Sequence, residues 1–249
     1  MKPCVFLVVR TNSSRLTKKA LRKICGKMLI QILVNRIING DKRELIVCTT
    51  RTKNDDELVR ILKKANIEIF RGDSKDVLKR ICDAAKKYHK RFFVWVDGDD
   101  VFCDPNLIDK TFKKLLITND DYIKWENLPF GTTPIGIRTS KLSKLIKLKK
   151  TRNTDTGGGE IMEKSGIFKV RKYTVRNKKL WRPDIRLSVD YPNDLKLVRM
   201  IYKKLKQNFS LLDIIQILEK NPEWLKINER EKMLYVEHFL RKKIVFETE

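Results

Sequence analysis

Three stretches of this chain gather groups suited to holding a metal ion and a polyphosphate. The shortest is the turn Asp97-Gly98-Asp99-Asp100, which follows the apolar run Val94-Trp95-Val96. Carboxylates this close repel one another unless a cation neutralises them, and Mg²⁺ is commonly held by one or two carboxylates with phosphate oxygens and water. The turn has a structural alternative, the capping of the next helix, but Asp104 before Pro105 already suits that task. The second stretch is Arg10-Thr11-Asn12-Ser13-Ser14-Arg15-Leu16-Thr17-Lys18-Lys19. Arginine forks, a lysine pair and backbone N–H donors are what a polyphosphate requires. The Walker glycines and their Gly-Lys-Ser/Thr ending are absent, and a polar basic loop can equally be a solvated connection. In the third stretch, Asp190 follows the strand-like run Ile185-Arg186-Leu187-Ser188-Val189. It reads either as the cap of the next helix or as a second carboxylate sharing one metal with Asp99.

The elements around these stretches alternate. Residues 5–9, 44–50, 67–70 and 92–96 are short apolar runs without helical period, as in strands covered on both faces. Helical spacing marks 27–38, the segment that Asn54-Asp55-Asp56 can cap, the segment opened by Ser74-Lys75-Asp76, and the one begun by Pro105. The pattern predicts an α/β fold, a mainly parallel Rossmann-like sheet flanked by helices, with a final strand at 185–189. Ligands of such sheets bind outside the carboxyl ends of strands, where the basic loop and the acidic turn both fall. We expect one α/β domain over 1–206 and a helical C-terminal appendage over 207–249 with no grouping that suggests chemistry. Neither His89 nor His238 lies in a motif, so both read as ordinary helix residues.

Bulk properties narrow the classes. No apolar run approaches the roughly 20 residues of a membrane helix, so no membrane partner is expected. Five cysteines without CxxC pairing read as small buried hydrophobes in a reducing, cytoplasmic setting. The net charge of +25 invites a nucleic-acid partner, yet the lysines and arginines are spread over almost every helical segment. Solvated basic faces are the simpler reading, and nucleic acid is the disfavoured one.

In order and spacing these segments resemble the cytidylyltransferases that activate acidic sugars, a family including acylneuraminate and CMP-Kdo synthetases, and most of all its SpsF-like spore-coat polysaccharide branch. Arg10, Ser13, Arg15, Leu16 and Lys19 match the family's opening run, Gly26-Lys27 its glycine–lysine segment, and Phe70-Arg71-Gly72 with Asp76-Val77-Leu78 its "FRG…DVL" stretch. Gly98-Asp99 and Arg186-Leu187-Ser188-Val189-Asp190-Tyr191-Pro192 match its two ligand segments, and Asn221-Pro222-Glu223 with Ile227-Asn228 resembles the branch's C-terminus.

The resemblance implies a homodimeric nucleotidyltransferase in surface polysaccharide or glycan precursor synthesis. It would transfer CMP from CTP to a hydroxyl of an acidic sugar or related acceptor and release pyrophosphate. Arg10, Ser13, Arg15 and Lys19 would contact the triphosphate, Arg71 would lie near the base, and Asp99 and Asp190 would bind Mg²⁺. Asn12 departs from the loop glycine, a residue tolerant of positive φ, while Thr17 and Met28 replace prolines. Thr154-Asp155-Thr156-Gly157-Gly158-Gly159-Glu160 stands where the family has an arginine, glutamate and histidine segment, and reads as an acceptor-site loop or helix start. Two rivals differ in products. A GT-A-type glycosyltransferase would consume a nucleotide sugar without releasing pyrophosphate, and a basic nucleic-acid-binding protein would show salt-sensitive binding that survives Asp99→Asn.

Overall fold

The computed structural model describes residues 2–38, 42–155 and 157–241, so Thr156 and residues 242–249 of the sequence reading lie outside the described residues. The first apolar run forms β1 (Cys4–Val8), buried along its whole length. Val5 and Leu7 pack on one face with Val47, Val94 and Val96, while Phe6 and Val8 pack on the other with Ile46, Cys48, Phe93 and Trp95. Burial on both faces explains why the run does not alternate with polar residues.

From β1 the basic loop leads through a short 3-10 helix to the ribbon β2 (Lys23–Ile24) and β3 (Lys27–Met28), then to α1 (Leu29–Ile38). The alternation continues through β4 (Glu44–Thr50), α2 (Asp56–Lys64), β5 (Glu68–Gly72), α3 (Val77–Lys87), β6 (Phe92–Asp97) and α4 (Pro105–Ile117). Strands β7 (Tyr122–Trp125) and β8 (Ile135–Arg138) follow, with α5 (Thr139–Leu148), α6 (Gly158–Lys164) and β9 (Val170–Tyr173) after them. Helices α7 (Pro192–Lys204), α8 (Leu211–Glu219) and α9 (Glu229–Arg241) complete the described chain. Local signals act as the sequence suggests at two helix starts. Asp76 accepts the Lys79 N–H at 3.0 Å, and Asp104 accepts the Asn106 N–H at 2.9 Å ahead of Pro105.

The sheet runs β5-β4-β1-β6-β8-β7-β9. Its first four strands are parallel, β8 is antiparallel to both β6 and β7, and β9 is parallel to β7. The α/β class is therefore as expected. The chain first builds outward from β1 through β4 to β5, then returns to add β6 on the other side of β1. That reversal opens a crevice beyond the carboxyl ends of β1 and β6, where Val8 is level with Asp97.

Two expectations need correction. Residues 27–28 belong to the ribbon rather than to the first helix. Residues 185–189 are extended but join no strand of the sheet: Phe130 and Arg186 form an isolated bridge, and the Val189 N–H reaches the Asp99 carbonyl at 3.0 Å. Their apolar alternation reports burial instead, because Ile185, Leu187 and Val189 face a core shared with α7 and α8. Leu211, Ile214, Ile215 and Leu218 of α8 sit in that same core beside Leu29 and Phe102. Among the described residues no helix is long and apolar enough to cross a membrane. Four cysteines are buried as expected, whereas Cys25 is exposed in the ribbon turn.

Candidate active site

The crevice is about 780 Å³ in volume, and the basic loop and the acidic turn meet at its floor. Close approach of their backbones depends on Gly98. Its N–H donates to the Val8 carbonyl at 2.8 Å, and a Cβ there would lie 2.5 Å from the Val9 Cβ. The start of the loop is pinned by Asp55, which accepts from the Thr11 N–H and hydroxyl, both at 2.7 Å, and from Thr49 at 2.9 Å. Asp55 thus tethers the loop instead of capping α2. Positive φ occurs at Lys18, not at Asn12, so loss of the loop glycine brings no backbone strain at position 12.

The loop's cations are docked on carboxylates. Lys19 Nζ bridges Asp99 and Asp190, the latter at 3.0 Å, and Arg15 reaches Asp190 at 2.6 Å. Arg10 pairs with Asp155 on the segment before α6. Ser13 lines the same crevice. Arg71 does not join them: its guanidinium donates to the Thr50 and Thr52 carbonyls, both at 2.8 Å, and pairs with Asp56 at 2.7 Å.

Asp190 is held from behind. Arg186 contacts it at 2.7 Å and also contacts Asp194, whose carboxylate accepts the N–H groups of Asp190 and Tyr191, each at 3.0 Å. Asn228, in the stretch between α8 and α9, donates to Asp194 at 2.8 Å. Asp194 therefore performs the capping task, leaving the Asp190 carboxylate turned to the crevice. Burial works to raise the Asp190 pKa, but Lys19, Arg15 and Arg186 outweigh it and hold the group well below the usual carboxylate range.

The acidic turn is the opposite case. Asp97, Asp99 and Asp100 offer carboxylate oxygens that all lie within 4.8 Å of one another. Burial, and then the neighbouring Asp99 charge, push Asp97 up to about 7 although Trp95 Nε1 donates to it at 2.8 Å. The same two causes raise Asp100 well above its ordinary value. These residues fit a divalent cation: the donors are hard carboxylate oxygens, they repel without one, and an ammonium group already bridges Asp99 and Asp190.

A second hollow, of about 810 Å³ beside α4, brings no such grouping together among the described residues. There Lys114 stacks on the Tyr173 ring, Asp104 caps α4 and Asp109 pairs with Arg43.

Comparison with known proteins decides the family. Residues 5–220 match the cytidylyltransferase family. The chain belongs to that family. An uncharacterized protein of Methanocaldococcus jannaschii is 33% identical over 92% of this chain and 95% of its own. The spore coat polysaccharide biosynthesis protein SpsF of Bacillus subtilis is 23% identical over 90% of this chain and 97% of its own. A solved cytidylyltransferase structure from Leptospira borgpetersenii superposes with a TM-score of 0.80 at 24% identity, covering 90% of this chain and 97% of that one. At that identity the structural match speaks for the fold, which is that of nucleotide-diphospho-sugar transferases.

Against this family background, two regions contribute more than the sequence suggested. Tyr235, on α9 of the presumed inert tail, lines the crevice with its ring under both Arg15 and Arg186, at 5.7 and 4.8 Å from the guanidinium carbons. Arg186, Asp194 and Asn228 form the support of Asp190. Of these, Arg186 and Asn228 lie in segments the resemblance singled out, whereas Asp194 lies two residues past one of them and Tyr235 has no local signal. His238, also on α9, lines the crevice too, unlike His89. The glycine stretch starts α6 and borders the crevice, where a Cβ on Gly159 would come within 3.2 Å of the Tyr122 hydroxyl.

Proposed function

We propose that this cytidylyltransferase transfers CMP from CTP to an acceptor hydroxyl and releases pyrophosphate. The observation that carries the reading is the convergence at Lys19, whose ammonium joins the triphosphate-type loop to Asp99 and Asp190. A glycosyltransferase needs the carboxylates but not a second, basic wall suited to three phosphates. In the reaction the acceptor oxygen forms a bond to the α-phosphorus and the bond from that phosphorus to the bridging oxygen breaks. The electron pair leaves with pyrophosphate, and the hydroxyl proton passes to solvent water.

The chain's own groups have distinct parts. Arg15 and Lys19 bind phosphate oxygens and stabilise charge on the leaving pyrophosphate, and Arg10 exchanges Asp155 for phosphate. Ser13 and the neighbouring loop N–H groups orient the chain of phosphates. Asp99 and Asp190 would hold Mg²⁺, which when bound screens phosphate charge at the α-position. Arg71 has no part, because β4 and α2 already occupy its guanidinium. The similarity to SpsF supports a place in the making of a polysaccharide or glycan precursor.

The test is pyrophosphate release from each of the four nucleoside triphosphates, with and without Mg²⁺, against a panel of hydroxyl acceptors. CTP with Mg²⁺ should be the productive combination. Absence of release with every acceptor, together with absence of CTP binding, would sink the reading.

A further inference from the structure

Most cations of the crevice already hold a carboxylate. Arg10, Arg15 and Lys19 pair in turn with Asp155, Asp190 and Asp99, and Lys124 on β7 pairs with Glu163 at 2.8 Å. Arg80 is the exception among the described residues. It lines the crevice from α3, is only 1% exposed, and pairs with no carboxylate. Its Nη1 donates to the Asp73 carbonyl at 2.7 Å, while the buried Nε has no partner. A buried N–H left unmatched is costly, and a ligand atom that accepted from it would recover that cost.

Local packing fixes what surrounds Arg80. Val77 lies one turn earlier on α3 and also lines the crevice. Thr154 is stapled to the start of that helix. Its hydroxyl accepts the Leu78 N–H at 3.0 Å and donates to Asp76 at 2.8 Å, and its own N–H reaches the Lys75 carbonyl at 3.2 Å. Lys149 closes the same staple on Asp76. Asp155 is thereby carried to the Arg80 wall, where burial lowers the Arg80 pKa and the Asp155 charge opposes that shift. One apolar side chain thus stands beside an unmatched donor and a carboxylate acceptor. Arg10 covers that acceptor in the ligand-free chain and uncovers it on turning to phosphate.

An acid placed here would meet Asp155 as well as Arg80, so the mixed pair suits a ligand edge that both accepts and donates. The cytosine edge does both: O2 and N3 accept, and the 4-amino group donates. Uracil inverts the pattern, turning O4 to the carboxylate and N3–H to the guanidinium. We propose that Arg80 and Asp155 read the pyrimidine of CTP. The guanidinium donates to O2 and N3, the carboxylate accepts from the 4-amino group, and Val77 lies against the ring face. The inference rests on the nucleotidyl-transfer reading. It gives the base to residues other than Arg71, which the family resemblance placed there and whose guanidinium is held by Thr50, Thr52 and Asp56.

The experiment titrates the full chain with CTP, UTP and inorganic tripolyphosphate, each with Mg²⁺, by isothermal titration calorimetry. CTP should bind about a hundredfold tighter than UTP, because a site built to hydrogen-bond one edge leaves buried groups unpaired with the other. Arg80→Lys keeps the charge and loses the fork. It should weaken CTP about tenfold and tripolyphosphate less than about twofold. Asp155→Asn should cut the CTP-to-UTP ratio about tenfold or more, since its amide can donate to O4. Any gain from releasing Arg10 is common to both nucleotides and cancels in that ratio. Should Arg80→Lys not fold, the Asp155→Asn ratio decides alone. Equal affinity of the wild-type chain for CTP and UTP would overturn the inference, as would a ratio unmoved by Asp155→Asn. So would equal losses of CTP and tripolyphosphate in Arg80→Lys, or a CTP affinity unmoved by it, which would give the guanidinium to the acceptor. Failure of the wild-type chain to bind CTP at all strikes the nucleotidyl-transfer reading itself.

Discussion

Asp190 and the acidic turn are two carboxylate stations joined by one ammonium group, yet they are built in opposite ways. Around Asp190, with 2% of its side chain exposed, Arg15, Lys19 and Arg186 all approach within 3.0 Å. At the turn, three carboxylates crowd together and Asp99 contacts only Lys19 among the described cations. The first station is an anion already satisfied by the fold. The second is an excess of negative charge that the fold alone does not balance. A cation entering between them is therefore anchored by the first and demanded by the second.

The largest effect that would sharpen this contrast comes from neutralising each station in turn. Asp99→Asn and Asp190→Asn should both depress pyrophosphate release from CTP by roughly a thousandfold, through loss of charge stabilisation at the α-phosphate. Their stabilities should part company. Asp190→Asn strands buried cations and should cost about 3 kcal/mol, whereas Asp99→Asn also relieves repulsion with Asp97 and Asp100 and should cost clearly less. Urea denaturation of the ligand-free proteins decides the matter. Equal losses in the two variants would break the comparison.

The two stations were also unequally legible in the sequence. Asp97, Asp99 and Asp100 announce themselves because a buried apolar strand ends abruptly in carboxylates, and β6 ends at Asp97. Asp190 was legible as a carboxylate after an apolar run, but not as a group on an extended segment outside the sheet. That segment is placed by pairing with Phe130 and Asp99, residues about 60 to 90 positions earlier, and alternation cannot encode such a partner. The loop from Arg10 to Lys19 was visible from composition, while its tether at Asp55 looked like an ordinary cap signal. Tyr235 was invisible because a lone aromatic on an amphipathic helix carries no sign of which wall it will meet.

Each station also depends on one glycine, which gives the next test. At Gly131, with φ +89°, a Cβ would lie 2.4 Å from the Ser188 nitrogen, in the backbone that carries Asp190. At Gly98 the added Cβ would meet Val9, and the Val8 carbonyl at 3.0 Å. Either alanine substitution should cost about 1–3 kcal/mol, with Gly131→Ala the more damaging because it combines backbone contact with a left-handed conformation. Thermal melts rank the pair, and a neutral Gly131→Ala would show that the Asp190 segment is free to shift.

The pH response should separate the stations more gently. Asp97 holds its proton more tightly in the folded chain, so its contribution is present below the ordinary carboxylate range and fades as pH rises to about 7. Asp190, lowered in the folded chain, contributes above that range and loses its contribution as pH falls through it. The ligand-free protein should therefore unfold at lower urea near pH 8 than near pH 5.5. Mg²⁺ should flatten that dependence, and Asp97→Asn should remove much of it. A profile that rises steadily to pH 8 in the wild-type chain would contradict the unbalanced turn.

The smallest effect concerns two arginines that the sequence grouped together. Arg15 ends on Asp190, inside the crevice, so Arg15→Ala removes a group from the point where phosphate and carboxylates meet. Arg71 ends on the Thr50 and Thr52 carbonyls and Asp56, outside it. Arg15→Ala should raise the KM for CTP about tenfold or more, as expected for losing a charge-assisted contact to phosphate. Arg71→Ala should change the same KM less than about threefold, because its surviving partners are backbone oxygens and an exposed carboxylate. Steady-state kinetics at saturating Mg²⁺ and acceptor measures both. A tenfold effect of Arg71→Ala would mean that its guanidinium leaves β4 when CTP arrives, and would restore it to the base-binding wall from which its present contacts remove it.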